Sequence, residues 1–406
     1  MYTSTTAQKR RRIMRLAALA AVGLAVGGAT LSGCAPGGGT ADPAADDSAA
    51  SPSMIQRPSA PTGALPEELQ DALDDALEQT RAKYSVPGAV AGVWIPGEGS
   101  WTTAVGLADM ANAEPATEDM SWPIRSITKS YTVTLLLQLA DEGKLSLDDA
   151  LDSYVPGVTH GDEITLLQLA NMSSGIADYV TEAFMREFAK DPTHVYTLAE
   201  LNQGVVGQPA QFDPGTEFVY TNANTNLLGA VIEKVTGQPY AEALQKRILD
   251  PLGQRGTHYI TDVVDWAEPH PVGYQPDPET GELAPQDQNP SILGAAGSLF
   301  STLDDGRVWA ETLGSGALLQ PETQVLREIG HEIEKPPYDL YAVGMGETNG
   351  WLGHNGEGVG FTAATFHDPE SGASIVVYMN ASNLPDHAHP ADQAFRALAA
   401  VVRDRG

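Results

Sequence analysis

Ser126 and Lys129 stand three residues apart in Ser126-Ile127-Thr128-Lys129, between the turn Met120–Arg125 and a long apolar run. On a helix, residues three apart share a face, so this spacing brings a hydroxyl and an amine within reach of each other. A serine hydroxyl is a poor nucleophile near neutral pH until a neighbouring base takes its proton during attack. Lysine can be that base when burial and nearby cations lower its pKa. Taken alone, the pair also fits a helix N-cap serine beside a solvated lysine.

Two further motifs follow in order. One is Tyr220-Thr221-Asn222, preceded by Asp213–Phe218; the other is His354-Asn355-Gly356, just before a predicted strand. With these, the chain resembles the serine hydrolases of the penicillin-binding and class C β-lactamase superfamily, whose signature is Ser-x-x-Lys, then Tyr-x-Asn, then Lys- or His-x-Gly. The resemblance covers about Leu65 to Arg403 and includes Asn171–Ile176 and Ala295–Leu299.

That resemblance implies roles. Ser126 attacks a carbonyl and becomes acylated, while Lys129 and Tyr220 share the proton work; which of the two is the acylation base stays open. Asn222 holds the substrate amide and helps place Lys129, and His354, Asn355 and Gly356 border the substrate. The oxyanion hole is formed by the backbone N–H groups of Ser126 and Glu357. No metal or other cofactor is implied, and His367, His387 and His389 show no ligand spacing beside an acidic partner.

Two positions depart from the pattern. Class C β-lactamases carry lysine where this chain has His354, whereas histidine resembles actinobacterial D-Ala-D-Ala carboxypeptidases and their esterase-like relatives. A histidine is only partly charged near neutral pH, so it is a weaker carboxylate anchor. Met172 replaces a histidine found in many relatives and reads as loop support. Tyr378-Met379-Asn380 also spells Tyr-x-Asn, but it follows the His-x-Gly motif and reads as the end of a strand.

The implied function is an acyl-enzyme serine hydrolase of the D-alanyl-D-alanine carboxypeptidase type, acting on a small peptide, amide or ester from the cell wall. A carboxylesterase or weak β-lactamase on the same fold is the alternative, and a non-catalytic penicillin- or wall-binding lipoprotein is the alternative of another class. The loops around Tyr179–Gln211 and Trp266–Pro290 carry no interpretable specificity motif.

The elements that must hold these residues follow from periodicity. Leu69, Leu73 and Leu77 recur four apart after Pro66, predicting an amphipathic helix over Pro66–Tyr84. Ala89–Ile95 and Ser100–Gly106 flank Pro96-Gly97-Glu98-Gly99 as a hairpin, and Phe361–His367 and Ala373–Met379 form a second. Tyr131–Asp141 is apolar nearly all round, as a buried helix is. Leu147 to Leu252 is mostly helical, Trp266–Pro290 reads as a long surface loop, and a helix over Ala391–Arg403 closes the chain.

Strands at both ends and helices between them predict an α+β fold, an α/β sandwich of the β-lactamase/transpeptidase kind. Its antiparallel sheet is flanked by terminal helices and carries an inserted all-helical region.

Ahead of this region, five basic residues between Lys9 and Arg15 precede an uncharged run from Leu16 to Gly33. These are the n-region and h-region of an export signal. Leu31-Ser32-Gly33-Cys34 resembles a bacterial lipobox, which implies lipidation of Cys34, the only cysteine among the 406 residues.

We therefore expect a signal peptide over 1–33, a disordered linker over 34–62 and a hydrolase domain over 63–406. Such a linker spans roughly 30 Å r.m.s.. The protein is expected to be exported, a monomer, and lipid-anchored to the outer face of the bacterial cytoplasmic membrane, its only membrane attachment. The formal charge of -30 repels phosphate backbones and argues against a nucleic-acid partner.

Overall fold

A computed structural model describes residues 57–333 and 337–404. Cys34, the export segment and most of the linker lie outside the described residues.

Helix α1 (Glu67–Lys83) starts directly after Pro66 and buries Leu73 and Leu77. Strand β1 (Gly88–Ile95) is buried along its length and pairs antiparallel with β2 (Gly99–Asp109). Helix α2 (Thr128–Asp141) follows the serine turn, and α3 (Asn222–Thr236) packs against it. Next come α4 (Leu303–Ser315), β3 (Trp351–Gly358), β4 (Phe361–His367), β5 (Ser374–Met379) and the closing helix α5 (Pro390–Asp404).

The long strands line up as β2-β1-β5-β4-β3, antiparallel throughout, with short strands extending both edges. The first hairpin thus joins the last through the β1–β5 pair, in which Ala89 faces Met379 and Trp94 faces Ser374. Successive side chains of a strand point to opposite faces, and here both faces are covered. Ala89, Ala91, Val93, Ile375 and Val377 share one core cluster with Leu73, Leu77, Phe395 and Leu398 from α1 and α5. Val90, Trp94, Val376 and Tyr378 join the other cluster, with α2, α3 and α4.

Two contacts fix α2 against α4. Tyr131 stacks on Trp309 with ring centroids 3.5 Å apart, and Trp309 Nε1 donates to Ser130 Oγ at 2.8 Å. Asn380, the strand-end residue of the misplaced Tyr-x-Asn, is a structural hub. Its Oδ1 accepts from Gly88 N at 2.7 Å, and its Nδ2 donates to the carbonyls of Leu107, Ala108 and Val272.

The α+β architecture agrees with the sequence, and several details differ from it. The named elements between Leu147 and Leu252 are all helical, and outside that stretch Trp122–Pro123, Leu299–Ser301 and His258–Tyr259 form a small sheet beside the serine turn that the sequence did not announce. Trp266–Pro290 contains a hairpin of Tyr274–Pro276 with Leu283–Pro285, and Trp266 is buried.

His354-Asn355-Gly356 lies within strand β3 rather than before a strand. The end of the expected linker is also pinned. Arg57 pairs with Asp304 at 2.6 Å and with buried Asp305 at 2.9 Å, and Arg307 donates to the Pro58 carbonyl at 3.0 Å. Carboxylates on the first turn of α4 supply what the Gly- and Ser-rich segment lacks by itself.

Candidate active site

Ser126 occupies a single 3-10 turn, Arg125–Ile127, immediately ahead of α2. Lys129 is on the first turn of α2 and is fully buried. Its Nζ lies 3.0 Å from Ser126 Oγ, 2.8 Å from Asn222 Oδ1 and 3.0 Å from the Ala296 carbonyl oxygen. Three neutral oxygens therefore surround the amine, and no carboxylate among the described residues touches it. Burial pulls the Lys129 pKa down to about 7, with the charge of Asp178 opposing the shift.

Asp178 is the residue that motif reading missed. Its Oδ2 accepts from the backbone N–H of Asn222 at 2.7 Å and from Asn222 Nδ2 at 3.2 Å. Asn222, at the start of α3, is thereby oriented with its Oδ1 toward Lys129. The available signal was position alone: Asp178 closely follows Asn171–Ile176 in a stretch without periodicity.

Tyr220 stands on the other side of the serine. Lys129 Nζ sits 4.9 Å from its ring centroid, and its ring meets Tyr341 edge-on. Tyr220 keeps 37 % of its surface open to the cleft, yet crowding by the surrounding protein raises its pKa well above the ordinary tyrosine value. Contact with the Ser126 hydroxyl opposes that rise, and the charge of Asp178 adds to it. Its phenol is thus protonated at neutral pH and has a proton it can donate.

Strand β3 approaches the serine turn with its free edge. Of β3, the neighbouring strand Gly346–Thr348 pairs with Trp351–Gly353 alone, so His354–Gly358 meet the 3-10 turn instead. A Cβ at Gly356 would come within 2.3 Å of the Ile124 carbonyl oxygen and 3.0 Å of Ser126 N. Only glycine permits this approach, which sets Glu357 beside the nucleophile.

Arg125 adopts φ +52°, in the left-handed region, although it is not glycine. Its buried guanidinium donates to the Val359 carbonyl at 3.0 Å and to Gln288 Oε1, and it lies over the Phe361 ring. Burial lowers its pKa to about 9, which leaves it a cation at neutral pH.

His354 does not reach the cleft. It is buried, with Nδ1 donating to the Asn355 carbonyl and Nε2 accepting from the Tyr341 hydroxyl at 3.2 Å. Burial drives its pKa down to about 3, so it is neutral where the sequence suggested partial charge. Asn355 does border the cleft, as do Tyr338 and Tyr341, two aromatics that motif reading did not single out. Met172, at φ +64° and buried, accepts from Asn224 Nδ2 through its sulfur at 3.2 Å, a packing role. Among the described residues, no group of three His, Cys, Asp or Glu side chains is arranged to hold a metal ion.

Ser126, Tyr220 and Asn222 open into a cleft of about 840 Å³. Phe218, Tyr338 and Tyr341 give it an aromatic wall, and Glu357, Asp386 and Asp392 supply carboxylates. Lys83 is the one Lys or Arg among the described residues lining it. The arrangement provides a hydroxyl with an adjacent amine of lowered pKa, a phenol proton donor and backbone N–H groups beside both, as acyl transfer requires.

Comparison with known proteins agrees with this geometry. The family model described as Beta-lactamase matches residues 73–399. A D-aminopeptidase of Brucella anthropi is 28% identical over 318 residues, covering 76% of this chain and 59% of the relative. This chain therefore spans about three fifths of that protein's length. A D-stereospecific amidohydrolase from Streptomyces sp. superposes with a TM-score of 0.72 at 30% identity, covering 81% of this chain and 98% of the other. A D-amino acid amidase from Ochrobactrum anthropi SV3, complexed with D-phenylalanine, shares the fold with a TM-score of 0.73 at 22% identity, covering 84% of this chain and 100% of that one.

Proposed function

The chain belongs to the beta-lactamase family, and on that premise we propose that it hydrolyses amides through an acyl-enzyme on Ser126. Its substrates are amides of D-amino acids with a free amino group near the scissile carbonyl. The observation that carries the chemistry is the buried Lys129 amine, with a pKa of about 7, at 3.0 Å from Ser126 Oγ.

Neutral Lys129 takes the Ser126 proton as Oγ attacks the carbonyl carbon. Negative charge develops on the carbonyl oxygen between the N–H groups of Ser126 and Glu357. The resulting ammonium is held by Asn222 Oδ1 and the Ala296 carbonyl. Tyr220 gives its proton to the departing amine and recovers one from Lys129. Water then attacks the acyl-enzyme by the same steps in reverse, releasing the acid and restoring the Ser126 hydroxyl.

The substrate class is supported by the charge of the cleft and by the names of the relatives. Carboxylates at Glu357 and Asp386 suit an ammonium group. Buried, neutral His354 offers no charge to the terminal carboxylate of a D-Ala-D-Ala peptide. The D-aminopeptidase and D-amino acid amidase relatives act, by their names, on D-amino acid amides or peptides.

The test is ammonia release from D- and L-phenylalanine amide, set beside D-alanine release from a D-Ala-D-Ala peptide and hydrolysis of p-nitrophenyl acetate. Turnover of the D-amide, lost in Ser126→Ala, supports the proposal. Ester turnover without amide turnover moves the substrate to esters, and peptide turnover alone restores the carboxypeptidase. The lipid anchor is likewise proposed, from Leu31–Cys34 and the basic segment before it. Radiolabelled palmitate should be incorporated into the protein and lost in Cys34→Ala.

A further inference from the structure

Beneath Tyr338, the cleft wall holds polar atoms that the proposed chemistry does not use. Tyr338 accepts from Asn355 N at 2.9 Å and donates to Asn355 Oδ1 at 2.6 Å, which fixes the orientation of that amide. Asn355 Nδ2 is buried and has no hydrogen-bond partner among the described residues, and Asn355 as a whole is 7% exposed.

His389 Nδ1 accepts from Asp392 N at 3.1 Å, so in the neutral ring the proton is on Nε2. That nitrogen also lacks a partner among the described residues. Asp392 Oδ2 is held by Arg396 Nε at 2.8 Å, whereas its Oδ1, on a residue 1% exposed, is buried and has no partner among the described residues. All three residues border the same cleft as Ser126.

Buried polar groups are usually satisfied, and what sets these three apart is that they belong to residues of one cleft wall, next to the space a substrate would fill. Two present N–H donors and one presents an acceptor. A carboxamide supplies the complement, with a C=O for the donors and an N–H for the carboxylate, whereas an ammonium group offers donors only.

Two more observations agree. The loop over this wall holds Asn383, Asp386 and His387 at φ of +52°, +61° and +53°, and Glu357 Oε1 ties it down by accepting from Asn383 N at 3.1 Å. Non-glycine residues in that region persist where surrounding structure over-determines them, often at ligand clamps. A cleft of about 840 Å³ is also several times larger than one amino-acid amide requires.

We infer that Asn355, His389 and Asp392 form a subsite for a second amide of the substrate, so that peptide amides are preferred over single amino-acid amides. The inference deepens the amide-hydrolase reading and rests on it for the position of the cleaved bond.

Its test uses equilibrium binding to the Ser126→Ala protein, read by calorimetry, so that it does not depend on turnover. The probes are D-Phe-Gly-NH2 and Gly-D-Phe-NH2, which carry a second amide, and D-phenylalanine propylamide, which does not. The expected result is that one of the two dipeptide amides binds about tenfold or more tightly than the propylamide. That ratio should fall toward one in Asn355→Ala and in His389→Leu, each made on the Ser126→Ala background and checked for folding by its unfolding midpoint.

Equal binding of all three probes, binding of none, or a preference unchanged in both variants would overturn the subsite. Turnover by the unmodified protein separately tests the hydrolase reading: tight dipeptide binding without hydrolysis sinks that reading and leaves the subsite standing.

Discussion

The lowered pKa of Lys129 sets a pH dependence that can be worked through. Only the neutral amine can accept the Ser126 proton. With a pKa of about 7, the neutral fraction is about 10 % at pH 6 and about 90 % at pH 8. The acylation rate should therefore rise about ninefold between those values and then level off. Asp178 raises this pKa through its charge while its Oδ2 holds Asn222.

Asp178→Asn keeps an acceptor for Asn222 and removes the charge. The rising limb should then move to lower pH, so that the variant retains a larger share of its plateau rate at pH 6 than the unmodified protein does. The assay is the pre-steady-state burst of p-nitrophenol from an ester, measured from pH 5 to 9. A profile flat between pH 6 and 8, or a limb that moves upward in Asp178→Asn, would refute the assignment of Lys129 as base. A lower plateau without a shift would reduce Asp178 to a scaffold for Asn222.

Gly356→Ala forces a Cβ to within 2.3 Å of the Ile124 carbonyl oxygen, so β3 must retreat from Ser126. We expect kcat to drop about 100-fold or more, the scale of losing one oxyanion donor, with the far-UV circular dichroism unchanged. Arg125→Gly relieves left-handed strain of roughly 1–2 kcal/mol but unties the serine turn from Val359 and Gln288. A fall in kcat without a drop in unfolding midpoint is the expected pattern, and the reverse pattern argues that the guanidinium serves stability alone.

His354 has a folded pKa of about 3 against an ordinary 6.5, so below pH 6.5 the unfolded chain binds a proton that the folded protein refuses. Stability therefore declines as pH falls from 6.5 toward 3. His354→Gln, which lacks that titration, should lose less of its urea midpoint between pH 7 and pH 4.

The parts of the site that sequence made legible are those defined by order and spacing. Ser126, Lys129, Tyr220 and Asn222 lie on or beside helix starts, where position along the chain closely determines position in space. Asp178 was not legible because its partners are a backbone amide and a side chain 44 residues away, and a lone carboxylate in a loop announces neither. The run from Trp351 to Gly358 hid its strand character behind three glycines and few β-branched residues, because close approach to the serine turn outweighs strand propensity there. Burial of His354 was also out of reach, since it depends on Tyr338 and Tyr341 closing over the ring. The hairpin within Trp266–Pro290 is short and proline-rich, so alternation had too few residues in which to show.

Pairing the chain's first long hairpin with its last has a kinetic consequence. Ala89 and Met379 are about 290 residues apart in sequence, so β1 and β2 can form a hairpin early but must wait for all of that intervening chain before β5 arrives. Until then β1 presents an unpaired, strongly apolar edge, the kind of surface through which incomplete chains associate. The central sheet can therefore first close only after β5 has been made, and the interval before that is when a holding chaperone would matter most.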